Sequence, residues 1–226
     1  MGSILRRPCQ EDGSLVKGIK AVFLDTYGLG IMDAINRTFI GVRVPPELLP
    51  AIDAALLTLK RKPGILDVRW NQPSEYLLNM VTLGEISVST LSRVIPLVAQ
   101  TVSDHNSFTL TLDKFIGLPN MIQPRFAVLQ LTGEGSECAV QLASRLDMVT
   151  RSVTPHREGR PFQPNLVMGR IKTESEQMRV ALGRALKMPD AEPFGTWDVN
   201  QIDLLISHSS TAGIGYKVIE SFRLMA

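Results

Sequence analysis

The chain has 226 residues, of which 44% are hydrophobic and 20% charged, with a formal net charge of +2. This is the composition of a globular chain long enough to bury a real core, and the near balance of charge excludes a general polyanion binder. Two cysteines, Cys9 and Cys138, far apart in sequence, exclude a disulfide framework or a cysteine metal site, and no apolar run reaches the ~18–20 residues that a membrane-spanning helix needs.

Residues 1–37 read as an N-terminal extension that adds a strand or short helix, turns at Gly28-Leu29-Gly30, and covers a groove or makes a subunit contact. Residues 38–226 read as one domain of two pseudo-symmetric lobes. The domain opens on a strand from Thr38, and Pro45-Pro46 then introduce a helix with Leu48, Ile52, Ala55, Leu56 and Leu59 at helical spacing. Tyr76 to Gly84 is strand-like. Leu91, Val94, Ile95, Val98 and Val102 form a second helical stripe after Ser87 or Ser89, with Pro96 predicting a kink or a late start. Phe108–Leu112 and Arg125–Leu131 read as a hairpin. Ser136 is the expected cap of a third helix, with Ala139, Leu142, Ala143 and Leu146 inward. Pro161 to Arg170 is again strand-like, Thr173 with Glu176 has capping-box spacing for a fourth helix, and Leu204–Ser207 with Tyr216–Ile219 form a last hairpin. Four amphipathic helices between hairpin-like strands predict an α+β fold, with the apolar stripes in the core.

Two strand-like stretches carry the functional signal. Arg69-Trp70, Pro73 and Leu83-Gly84-Glu85 frame Tyr76 to Gly84; Arg160-Pro161-Phe162, Pro164 and Gly169-Arg170-Ile171-Lys172 frame the second. In these frames, and in the order of the surrounding elements from about Thr38 to Leu224, the chain resembles the 2H phosphoesterase superfamily. More narrowly it is similar to the LigT-like branch, the RNA 2',3'-cyclic phosphodiesterases also called 2'-5' RNA ligases. The resemblance implies a bilobal α+β fold in which two antiparallel sheets face one another across a central cleft, with helices on the outer faces and one motif strand from each lobe. It also implies a His-x-Thr (or Ser) motif on each strand, falling at Leu77 and Asn79 and at Asn165 and Val167. None of the four family residues is present.

The chemistry states what is lost. Opening a cyclic phosphate needs a base to take a proton from water and an acid to give one to the leaving oxygen, roles that two imidazoles share near neutral pH. Leu77 can do neither, and Asn79 and Asn165 donate and accept hydrogen bonds without titrating. Val167 has nearly the shape of threonine but no hydroxyl. Strict alternation predicts Leu77, Asn79 and Val81 on one face, and Asn165, Val167 and Gly169 on the other motif's face. Of the histidines, His105 and His208 have no spacing partner, whereas His156 precedes Asn165 by nine residues and is the candidate substitute acid.

Arginines cluster around the second motif: Arg151, Arg157, Arg160 and Arg170, with Lys172. Arginine forks suit phosphate. Asn79, Asn165, Tyr76, Arg160 and Arg170 are therefore the expected ligand-binding residues, for RNA or a nucleotide phosphate, with no cofactor and no metal. The expected function is that of a catalytically inactive, cytoplasmic homologue that binds such a ligand. The alternatives are an active cyclic phosphodiesterase using His156, and an interaction protein whose cleft is vestigial.

Overall fold

The computed structural model describes residues 37–65, 67–154, 159, 161–187, 193–210 and 213–226. Nine strands are described: β1 (Arg37–Arg43), β2 (Val68–Trp70), β3 (Leu77–Glu85), β4 (Phe108–Leu118), β5 (Phe126–Thr132), β6 (Asn165–Ile171), β7 (Gly195–Val199), β8 (Gln201–Ser210) and β9 (Gly213–Arg223). They form two antiparallel sheets, one in the order β3-β1-β8-β9 and the other β2-β6-β5-β4-β7. The helices among them are α1 (Leu49–Lys60), α2 (Val88–Ser103), α3 (Gly135–Thr150) and α4 (Glu176–Leu186). This is the expected α+β architecture of two antiparallel sheets and flanking helices.

The apolar stripes explain how the layers close. Ile52, Ala55, Leu56 and Leu59 of α1, Leu91, Val94, Ile95, Val98 and Val102 of α2, and Ala139, Leu142, Ala143 and Leu146 of α3 are all buried. They join Ile40, Val42 and Leu78 of one sheet and Leu110, Phe115, Leu129 and Leu166 of the other in one core. A fully buried side chain of this kind contributes roughly 1.5–3 kcal/mol relative to exposure, which is what holds the helices against the sheets.

The start of the second helix is decided in favour of Ser87, and two other caps need correction. Helix α2 starts at Val88, capped by Ser87, whose hydroxyl accepts from the Thr90 amide at 3.1 Å, and it continues through Pro96. Proline forfeits one backbone donor, yet core residues on both sides of it, Leu91 and Val94 before and Val98 and Val102 after, hold the two halves in one helix. Ser136 lies inside α3, where its hydroxyl donates to the Gly133 carbonyl at 2.7 Å. The cap of α4 is Ser175, which accepts from the Met178 amide at 3.4 Å, while Thr173 accepts from the Ser175 amide at 3.2 Å. Serine and threonine compete for such local bonds, so spacing alone does not pick the cap.

Candidate functional site

The two motif strands come from different sheets, β3 at the edge of the four-stranded sheet and β6 second in the five-stranded one, and they approach one another with Cα atoms within 8 Å. Each carries a register shift at the same place relative to its motif. Along β1 the neighbours Gly41 and Ile40 pair with Asn79 and Val81, so Met80 is an extra residue on β3. Along β5 the neighbours Val128 and Ala127 pair with Val167 and Gly169, so Met168 is an extra residue on β6. An extra residue bends the strand and reverses the side-chain alternation beyond it.

That reversal corrects the expected faces. Val81 turns into the main core, 3% exposed, and Thr82 takes its place beside Asn79. The Asn79 amide donates to the Thr82 hydroxyl at 2.9 Å, spanning the bulge. On β6, Gly169 pairs with the core residue Ala127, Ile171 is buried in the core, and Arg170 emerges on the side of Asn165 and Val167. The residues five positions after each motif start thus share the face of their motif, Thr82 buried beside Asn79 and Arg170 exposed beside Asn165 and Val167.

The surroundings of the second motif are basic. Arg170 lies directly between Arg69 of β2 and Phe126 of β5, and all three are exposed. Arg69 is held by Glu75 at 3.5 Å; Arg170 has no ion pair among the described residues. Like charges directly opposite on neighbouring strands destabilise a sheet, and an anion bridging them removes that cost. Asn71 pins the adjoining bulge, its side chain donating to the Val167 carbonyl at 2.9 Å and its amide to the Met168 carbonyl at 2.8 Å. Asn165 is half-buried and Val167 is 42% exposed, so this floor is open.

The first motif is built differently. Leu77 is 6% exposed and clusters with Phe39 and Leu205, flanked by Tyr216 and Val218. Phe39 and Tyr216 meet edge to face at 5.6 Å. Across Gly41 from Asn79 stands Asp203, 2% exposed, whose carboxylate accepts from the Ser221 hydroxyl at 2.6 Å, the Gln201 amide at 2.9 Å and the Arg43 guanidinium at 3.5 Å. Three donors offset the cost of burying this charge. Burial, then Asp53 and Glu75, push the Tyr76 hydroxyl up to about 12. Tyr76 lies in the main core, 2% exposed, rather than on the groove floor.

Of the other candidates, His156 and Arg160 lie outside the described residues. His105 is half-buried with Nδ1 at 2.8 Å from the Thr101 carbonyl, a local helix-end contact. His208 is exposed and lines an open depression of about 960 Å³ with Arg43, Asp203 and Tyr216, and none of the four motif positions lines it. Among the described residues no group of His, Cys, Asp and Glu is arranged to hold a metal, and no helix is long and apolar enough to cross a membrane. Thr82 and Arg69 are the polar residues beside the motifs that sequence reasoning did not place there, because a bulge and a cross-strand pairing bring them in.

The fold is found in solved structures over almost their whole length. LigT from E. coli, solved with 3'-AMP, aligns with a TM-score of 0.64 at 20% identity over 85% of this chain and 99% of its own. The chain has the LigT-like fold of the 2H phosphoesterases. TT0787 of Thermus thermophilus shares this fold with a TM-score of 0.62, 22% identity and coverage of 83% and 97%. Usb1 from Kluyveromyces marxianus, solved with uridine monophosphate, shares it more distantly, with a TM-score of 0.53 at 10% identity over 85% and 98%. Neither a protein-family model nor a curated protein matches the sequence. Within the LigT-like fold the matched bulges at Met80 and Met168 align the two motifs, with Leu77 corresponding to Asn165 and Asn79 to Val167.

Proposed function

We propose that this chain is a catalytically inactive homologue of the RNA 2',3'-cyclic phosphodiesterase and 2'-5' RNA ligase branch, and that its groove binds a phosphorylated ligand, a nucleotide or an RNA end, in the cytoplasm. The observation that carries the reading is that β3 and β6 are bulged alike at Met80 and Met168 while all four motif positions hold side chains that do not titrate. Each absent proton-transfer group forfeits about 10²–10⁴ in rate, so losing both leaves no useful turnover. What remains suits an anion. The Arg170 fork, paired across the sheet with Arg69, supplies charge-assisted donors for phosphate oxygens, and the Asn165 amide adds a neutral donor on the same face. From β3, Asn79 and the Thr82 hydroxyl offer further hydrogen-bonding groups. Leu77, packed against Phe39 and Leu205, and the exposed Val167 contribute no proton-transfer chemistry.

The test is calorimetric titration with 3'-AMP alongside hydrolysis of a nucleoside 2',3'-cyclic phosphate, on the full chain and on His156→Ala. Binding without turnover supports the reading. Turnover that disappears in His156→Ala overturns it in favour of an active cyclic phosphodiesterase with a substitute acid, and neither binding nor turnover leaves an interaction protein with a vestigial cleft.

A further inference from the structure

On the face that carries the second motif, the five-stranded sheet holds a row that runs from charge to an aromatic ring. Arg69 of β2 is paired with Arg170 of β6, Arg170 with Phe126 of β5, and Phe126 with Leu118 of β4. Directly opposite residues keep their Cβ atoms about 4.5–5.5 Å apart, so two guanidinium forks stand abreast of a phenyl ring and a half-buried leucine. The reading above uses the arginines and leaves the ring without a role. Among the described residues every other phenylalanine, tyrosine and tryptophan is buried or half-buried, whereas Phe126 is 37% exposed. Nor is its ring engaged internally. The ring pairs are Phe39 with Tyr216 and Phe115 with Phe194, and the cation over a ring is Lys60 over Trp70. Among the described residues, then, neither a ring nor a cation stacks on Phe126.

We infer that Phe126 is a stacking platform for a nucleobase, so that the ligand of this groove is a nucleoside phosphate rather than a bare phosphate or a sugar phosphate. The inference rests on the proposed binding of phosphate at Arg170 and adds the part of the ligand that the arginines do not read. Neighbouring strands lie ~4.8 Å apart, so a ligand that reaches from Arg170 or Arg69 to Phe126 carries an anion and a flat apolar group separated by one or two strand spacings, ~5–10 Å. A nucleoside monophosphate has this form, with phosphate and base joined through a single ribose. The guanidinium forks take the phosphate oxygens, and the base lies offset on the phenyl ring, with Leu118 extending the apolar surface on the far side. Stacking tolerates any base, because every base has a π-face. Recognition by Phe126 is therefore broad, with purines favoured by their larger face.

The test compares 3'-AMP with ribose 3-phosphate, the same ligand without its base, by calorimetry on the full chain, on Phe126→Leu and on Phe126→Tyr. The parent and Phe126→Tyr are expected to bind 3'-AMP roughly 5- to 150-fold more tightly than ribose 3-phosphate, the span that one base–aromatic stack covers. In Phe126→Leu that ratio is expected to fall toward one, while ribose 3-phosphate binds all three proteins alike. Equal affinities in the parent, or an undiminished ratio in Phe126→Leu, overturn the stacking and leave the phosphate site standing. Binding of neither ligand to the parent overturns the phosphate reading and this inference with it. A second readout needs no variant: in the parent saturated with 3'-AMP, nuclear Overhauser contacts are expected between the adenine H2 and H8 protons and the Phe126 ring. Their absence, or contacts to a different ring, contradicts the platform.

Discussion

The two motif strands share a bulge at the same motif position, β3 adding a second at Leu83, and they differ in what they can do. β3 and β6 carry a bulge three residues after the motif start, at Met80 and Met168, and each thereby brings the residue five positions on, Thr82 or Arg170, onto the face of its motif. From there they diverge. The first motif turns inward, with Leu77 packed against Phe39 and Leu205 and its bulge closed by its own Asn79 and Thr82. The second stays open and basic, with its bulge pinned from β2 by Asn71 and with Arg170 facing Arg69 across the sheet. Backbone geometry and side-chain chemistry part company here: the two strands are bulged alike, yet one motif contributes packing and the other exposes Asn165 and Arg170.

The largest effect is expected from restoring both halves at once. The fourfold variant Leu77→His, Asn79→Thr, Asn165→His and Val167→Thr places two imidazoles and two hydroxyls on the common frame, and it is expected to hydrolyse a nucleoside 2',3'-cyclic phosphate at least ~10²-fold faster than the parent chain, the contribution of a single positioned proton-transfer group. Single revertants are expected to stay at background. If the fourfold variant is silent as well while folded, the two strands no longer face one phosphate.

Next come substitutions at the residues opposite the bulges. A Cβ at Gly41 would lie 2.4 Å from the Leu78 carbonyl oxygen, against backbone that cannot give way. Gly41→Ala is expected to destabilise the fold by about 1–3 kcal/mol or more, and denaturant melts read this directly. Val128, the counterpart opposite the second bulge, is fully buried. Val128→Ala leaves a small cavity in place of a clash, expected to cost about 1–2 kcal/mol.

Ligand binding separates the strands more finely. Arg170→Ala removes a charged donor, worth about 1.5–3 kcal/mol, and is expected to weaken 3'-AMP binding by at least ~10-fold in calorimetry. Thr82→Ala, at the equivalent position on β3, removes a neutral hydroxyl worth about 0.5–1.5 kcal/mol and is expected to weaken it only by a few-fold. Equal effects would mean that the ligand straddles the groove rather than resting on β6.

The smallest expected effect is in the alkaline limb of stability. Tyr76 enters β3 at the place where Pro164 enters β6, and its hydroxyl is pushed from 10.0 up to about 12, first by burial and then by Asp53 and Glu75. A raised folded-state pKa means that its contribution is fully present below pH 10 and is lost as the pH rises from there toward about 12. Tyr76→Phe is expected to flatten that part of the stability profile, measured by denaturant unfolding across the range.

Much of this was legible in the sequence, for identifiable reasons. The helices announce themselves by apolar spacing, since Ile52, Leu56 and Leu59, or Leu91, Val94 and Val98, can share a face only in a helix. The motif strands announce themselves by their frames, and Leu77, Asn79, Asn165 and Val167 do fall on β3 and β6. The bulges were not legible. One extra residue leaves no compositional mark, yet it moves Val81 and Gly169 to the core side, puts the buried Thr82 on the face of Asn79 and brings Arg170 outward. Arg69 could be quoted as part of a frame, but its position opposite Arg170 is a matter of strand pairing between residues about a hundred positions apart, which local pattern does not carry. Tyr76 looked like a ligand contact because it is aromatic and adjoins the motif; it is core because the turn at Pro73–Glu75 delivers it inward.

The most direct test of the central claim, that the groove between β3 and β6 grips a phosphorylated ligand on its polar side, is an NMR titration of the isotope-labelled full chain with 3'-AMP. Saturable shifts centred on Arg170, Asn165 and Asn79 are expected, with little change at Leu205 or Val218. Shifts confined to the depression around His208, or the absence of any saturable shift at millimolar ligand, would contradict it.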